Sequence, residues 1–193
     1  MIDAKSNEVL WVEKYRPQIV DDTILPSKTK ESFRKFVSDG SVPNLLLTGG
    51  PGVGKTTIAK AMLEELGCDY IVKNGSLNVN IDTLRYDIST FASAVSLTGT
   101  GRKYVIFDEA DYLNAANVQP ALRNFIEEYS SNCGFIFTCN FKNRIISPLR
   151  SRLSEIDFSI DTADRPQMAM EFFKRVKGIL DQEEVEYDPK VVA

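Results

Sequence analysis

Nine residues, "GGPGVGKTT" at 49–57, and two adjacent carboxylates, Asp108 and Glu109, are the parts of this chain whose types and spacing can do chemistry. The first stretch fits G-x-x-x-x-G-K-[ST], with Gly49, Gly54, Lys55 and Thr56 in the fixed positions. Such a loop, here Gly50, Pro51, Gly52, Val53 and Gly54, turns backbone N–H groups inward as an anion nest, and a helix starting at Lys55 adds its dipole. Lys55 is placed to reach the β- and γ-phosphates of a nucleotide, Thr56 to hold Mg²⁺, and Thr57 to complete the set around ATP. Asp108 ends the apolar run "YVIF" and is expected in the Mg²⁺ shell, usually through water. Glu109 is expected to accept the proton of the attacking water or to orient it, leaving ADP as product.

Residues of this kind need strands that end and helices that begin at one edge. The pattern supplies them: apolar runs at 44–49, 69–74, 102–108, 134–140 and 153–160, with helical periodicity at 30–40, 55–67, 80–93 and 118–131 between them. Alternating strands and helices, some strands almost wholly apolar, predict an α/β fold with a parallel sheet covered on both faces. Ligands in such sheets lie at the strands' C-terminal ends, where Asp108, Glu109 and Asn140 fall. Residues 1–30 read as an irregular arm broken by Pro17 and Pro26. A break near 161–167 precedes an amphipathic helix with Met170, Phe173, Val176 and Leu180 on its apolar face. The closing "PKVVA" reads as the start of another helix. Pro120 tolerates only a first turn, so the fourth helix should begin near Asn117, capped by Asn114 or Asn117. Asp111 is expected at the surface or as a helix cap.

The chain has 193 residues, 43% hydrophobic and 26% charged, enough for one domain plus part of another. A net charge of −4 means that any nucleic-acid contact must be local. Three cysteines and no histidine exclude most zinc patterns and any histidine-based triad; the scattered thiols suit a reducing cytosol. No signal-peptide core and no membrane-spanning apolar run is present, so a cytoplasmic protein is expected.

The spelling Asp-Glu-Ala-Asp at 108–111 invites an RNA-helicase reading. A DEAD-box helicase needs two RecA-like domains and a Ser-Ala-Thr motif after the acidic strand, and here that place holds "FIFTCN" (135–140) instead. "WVEKYRP" (11–17), "GGPGVGKTT", "QPALRNFIEEYSSN" (119–132), "FTCN" and "SPLRSR" (147–152) together resemble the AAA+ clamp-loader ATPase subunits. These are the replication factor C small subunits and their T-even-type bacteriophage counterparts; the resemblance runs over nearly all of 8–193.

That resemblance implies a P-loop AAA+ three-layer αβα fold with a mostly parallel five-stranded sheet. The ATPase domain would span 1–162 with an adenine-wrapping arm at 8–26, and a helical lid domain would begin at 163–193, apparently truncated. The arm's adenine contacts fall on Val12, Tyr15, Arg16 and Ile24. Asn140 takes the place of a polar sensor of the γ-phosphate. Arg152 takes that of an arginine finger acting in trans; Leu153 stands where the family has Cys, and Arg150 is close by. Asn74 matches a polar switch against Glu109, while Gln119 and Arg123 match a coupling segment. DNA contacts are implied at the starts of helices near 80–85 and 114–118, including Arg85. The implied partners are other loader subunits in a pentameric assembly, a sliding clamp and primer–template DNA, with no membrane, in the cytoplasm (a host's if viral). The family's sensor 2 arginine and collar have no counterpart in these 193 residues. Alternatives from the residues alone are another AAA+ remodeller, such as a helicase loader, and a nucleotide-binding scaffold with little hydrolysis.

Overall fold

The computed structural model describes residues 10–77, 81–94 and 102–188, so the "PKVVA" helix start and Asn80 lie outside the described residues. Five strands form one sheet in the order β2-β3-β4-β1-β5: β1 Leu45–Thr48, β2 Tyr70–Asn74, β3 Lys103–Asp108, β4 Cys133–Cys139 and β5 Ser154–Asp157. Every pairing is parallel. The α-helices are α1 Trp11–Lys14, α2 Ser27–Asp39, α3 Lys55–Glu65, α4 Ile81–Ser93, α5 Val118–Glu128, α6 Ser147–Arg150 and α7 Arg165–Gln182.

Strand alternation splits the core in two. Leu45 and Leu47 of β1, Tyr104 and Ile106 of β3 and Ile136 of β4 pack with Phe33 of α2 and Ile58, Met62 and Leu63 of α3. The alternate residues Leu46, Val105, Phe107, Phe135 and Phe137 pack with Leu84 and Ile88 of α4 and Leu122, Phe125 and Ile126 of α5. Three αβα layers result, and the near-continuous apolar strands are explained: both faces of the sheet are covered. Phe107 and Phe137 stack at 4.9 Å between centroids and pin the β3–β4 register directly beneath the site.

The expected elements are present with shifted ends. The helix expected at 30–40 starts at Ser27, so the irregular arm is shorter than expected and carries a helical turn at Trp11–Lys14 and a 3₁₀ turn at Val20–Asp22. The helix α5 begins at Val118, but Asn117 makes no side-chain cap. Asn114 Oδ1 instead accepts from the N–H groups of Ala116 and Asn117 at 2.9 and 3.0 Å, closing the turn that launches the helix. On α7, Met170 is exposed, while Phe173, Val176 and Leu180 are half-buried. Its inner face also carries Met168 and Arg175, because α7 lies over the arm rather than on the sheet. No helix among the described residues is long and apolar enough to cross a membrane.

Candidate functional site

The register of the sheet assembles the site. Thr48 pairs with Cys139 and Phe107 with Phe137, so one step beyond them Gly49 meets Asn140 and Asp108 meets Thr138 at the C-terminal edge. Out of β1 comes the loop, with Gly52 at φ 75° and Gly54 at φ 91°, conformations that glycine adopts without Cβ strain. Gly54 hands the chain directly to α3, whose first residue is Lys55.

Lys55 Nζ donates to the carbonyls of Gly49 and Gly50 at 2.8 and 2.6 Å and to Asn140 Oδ1 at 2.9 Å. Burial pushes its pKa below the ordinary lysine value, opposed by nearby Cys139, Asp108 and Asp111. A partly desolvated ammonium held by neutral acceptors is well suited to meet a polyphosphate. Asp108 Oδ1 accepts from the hydroxyls of Thr56, 2.5 Å, and Thr138, 2.6 Å. This hydroxyl–carboxylate set of hard oxygen donors suits Mg²⁺. Glu109 sits in the left-handed region at φ 54° and ψ 43°, its N–H bonded to Thr138 Oγ1 at 3.1 Å. Strained backbone at a non-glycine residue is the kind of feature that clusters at functional sites. Lys55, Thr56, Thr57, Asp108, Glu109, Thr138 and Asn140 line a cavity of about 280 Å³ together with Pro51, Gly52, Val53 and Gly54.

A second, more apolar cavity of about 510 Å³ shares Pro51, Gly52, Val53, Gly54 and Thr57 with the first, so the two form one cleft. Its far walls are Pro17, Asp22, Thr23, Ile24 and Leu25 from the arm, Ile160, and Met168, Ala169, Phe172 and Arg175 from α7. Ile24, expected against the adenine, lines this cavity. Val12, Tyr15 and Arg16 do not line the cavity. Val12 is 71% exposed, and Arg16 pairs with Glu13. Tyr15 serves as a strut: its hydroxyl bonds Glu183 at 2.6 Å and its carbonyl accepts from Arg175. The wall formed by α7 was not read from sequence, because Arg175 is joined to Tyr15 and Asp22 only by the tertiary fold.

Asp111 departs from its expectation, and Asn74 and Arg123 have partners that the sequence did not name. Asp111 is neither at the surface nor a cap: it is 5% exposed, its Oδ2 accepts from the Phe141 N–H at 3.3 Å, and its Oδ1 has no partner among the described residues. Asn74 lies opposite Asp108 in the sheet, but its side chain turns to Ser76, accepting from that residue's N–H and hydroxyl, and not to Glu109. Arg123 is half-buried and bonds its neighbour Asn124 in the described structure.

Gln119 is fully buried and satisfies three of its hydrogen-bonding positions. Nε2 donates to the carbonyls of Leu113 and Arg144, both at 3.0 Å, and Oε1 accepts from the Ile146 N–H at 2.8 Å. It therefore ties the segment after the acidic strand to the segment after Asn140. That second segment leads into α6 and Arg152, whose guanidinium bonds Glu127 Oε1 and the Pro148 carbonyl. Arg152 lines neither half of the chain's own cleft. Arg85 is exposed on α4. Thr138 and Cys139, not assigned to the site from sequence, also line the smaller, more polar cavity. A threonine following three apolar strand residues and two positions before Asn140 was the available signal for Thr138.

A glycine loop feeding a helix, an acidic strand end and a polar residue on the neighbouring strand define a P-loop nucleotide-binding ATPase domain. The chain belongs to the ATPase family associated with various cellular activities (AAA), whose model matches residues 45–162. It is 39% identical to the sliding-clamp-loader large subunit of Enterobacteria phage T4 over 196 aligned positions, all of this chain and 61% of that one. The corresponding subunit of Escherichia phage RB69 is 40% identical over the same share. A replication factor C small subunit of Sulfurisphaera tokodaii is 36% identical over 96% of this chain and 56% of its own. The chain thus spans less than two thirds of the curated relatives it matches. Among solved structures, Thermotoga maritima RuvB, a Holliday junction branch migration motor, shares the fold at a TM-score of 0.70 and 23% identity, over 92% of this chain and 58% of RuvB.

Proposed function

We propose that this chain is the ATPase portion of a sliding-clamp-loader subunit, which binds and hydrolyses MgATP at interfaces between subunits during DNA replication. The observation that carries the reading is likeness along nearly all of this chain to clamp-loader subunits, of which it covers 56–61%, combined with a cleft in which Lys55, Thr56, Asp108, Glu109 and Asn140 converge. The adenine lies in the apolar half against Ile24, and the phosphates lie along Gly50–Thr57. Thr56 and Asp108 would hold Mg²⁺, which would supply charge neutralisation for the phosphates. Lys55 exchanges its loop carbonyls for phosphate oxygens, and Asn140, now bonded to Lys55, orients the γ-phosphate end. Glu109 takes the proton of the attacking water.

In this reading Arg152 completes a neighbouring subunit's site, and its bonds to Glu127 and Pro148 hold it ready just past the end of α6. Gln119 couples the segment after Glu109 to the segment carrying Arg152. Asn74 acts as a switch only after leaving Ser76. Val12, Tyr15 and Arg16 support the base pocket from outside it. The ATPase domain is 1–162, and the lid begins with α7 in 163–193. Partners are other loader subunits, a pentamer when complete, with a sliding clamp and primer–template DNA met in part by Arg85; the setting is the cytoplasm.

The test is ATP hydrolysis per chain over a wide protein-concentration range, with and without primed template DNA. Specific activity rising with both supports trans completion by Arg152. Flat, near-zero turnover with intact ATP binding makes the chain a nucleotide-binding scaffold instead.

A further inference from the structure

Beside the phosphate half lies a surface cluster that the ATPase chemistry does not use. Tyr112 is 56% and Phe141 52% exposed, and both rings flank the guanidinium of Arg144, at 5.9 and 4.7 Å from their centroids. Four cations lie between 141 and 152. Lys142 and Arg150 pair with Glu155, and Arg152 pairs with Glu127. Arg144 makes no ion pair among the described residues, and its contacts are the two rings. In a chain of net charge −4, a guanidinium left to aromatic neighbours on an exposed surface is a local site for a polyanion.

We propose that Tyr112, Phe141 and Arg144 form a docking platform for an unpaired stretch of nucleic acid: the rings stack on a base, and Arg144 meets a backbone phosphate. Every base has a π-face, so the platform tolerates any sequence, and arginine beside aromatic rings adds cation–π attraction. The platform is mounted on the catalytic edge. Phe141 follows Asn140 directly, and its N–H bonds Asp111, next to Tyr112 and two residues past Glu109. The Arg144 carbonyl is held by Gln119. A strand seated on the rings therefore pulls on segments leading to both Glu109 and Asn140, giving DNA a short mechanical route to the hydrolysis site. This deepens the clamp-loader reading and rests on it.

The test uses the whole chain with ATP and a primed template whose overhang carries 2-aminopurine, compared with the same template carrying abasic positions. Tyr112→Ala and Phe141→Ala are expected to weaken binding roughly tenfold each and to abolish quenching of the 2-aminopurine. Arg144→Gln is expected to lower the slope of log affinity on log salt by roughly 0.7. Thermal melts confirm folding. Unchanged DNA affinity and quenching in all three variants overturns the platform while leaving the clamp-loader reading intact. Loss of self-association with DNA binding unchanged overturns it in favour of a subunit contact. An unmodified chain that neither binds DNA nor responds to it removes both readings.

Discussion

The two halves of the cleft are built by different means. In the phosphate half, Lys55, Thr56, Asp108, Thr138 and Asn140 stand on adjacent elements of one sheet edge, bonded to one another at 2.5 to 2.9 Å. In the base half, the walls come from the arm and α7, far apart in sequence, and are fastened at the rim. Arg175 bonds the carbonyls of Asp22 and Tyr15, and Glu183 bonds Lys14 and Tyr15. Strand ends backed by a stacked Phe107–Phe137 pair cannot shift without repacking the core. One rim ion pair, Lys14–Glu183, and a few hydrogen bonds to a helix with no buried residue give way at little cost. The difference suggests a division of labour, with a rigid half for chemistry and a movable half for admitting and sensing nucleotide.

The largest expected effect breaks chemistry without breaking the cleft. Glu109→Gln should lower turnover by roughly 10²-fold or more while ATP still binds, as phosphate release and nucleotide titration would show. Unchanged turnover would place the water-activating group elsewhere. Next comes the link between the rigid half and α6: Gln119→Leu strands the buried N–H and carbonyl groups it now satisfies. It should cost about 2–4 kcal/mol in denaturant unfolding, and a loss under 1 kcal/mol would mean that water replaces the amide.

Arg175→Ala tests the movable half. ATP affinity should fall roughly tenfold with kcat nearly intact, since about 1.4 kcal/mol is one decade. A fall in kcat alone would show that α7 serves chemistry instead.

The smallest effects are with pH, and the halves should respond at opposite ends. In the proposed reading Lys55 holds phosphate as the ammonium, and burial lowers its pKa, so ATP affinity should fade on the alkaline side before the ordinary lysine value of 10.5 is reached. Glu183 is held below its ordinary 4.5 by hydrogen bonds from Lys14 and then Tyr15. Its fastening is therefore complete above 4.5 and lost as pH falls through the lowered value. Measuring ATP affinity for the unmodified chain and Glu183→Gln across both ranges separates the two.

What the sequence by itself determined is the phosphate half. A nine-residue glycine loop, an apolar strand ending in Asp-Glu and a strand ending in Thr-Cys-Asn are local patterns, whereas the strand order and register that bring them to one edge came with the tertiary structure. The base half, apart from Ile24, was decided by tertiary structure. Pro17, Met168, Phe172 and Arg175 come together only because α7 folds back over the arm, through backbone carbonyls that carry no side-chain signature. The same holds for Asp111. Its acidic identity suggested solvent, but the Phe141 N–H behind it, supplied by the neighbouring strand's exit, draws it inward. Asn74 likewise shows that a position in the sheet can be read from pattern, whereas the direction of a side chain depends on whichever nearby donor, here Ser76, offers the shortest closed turn.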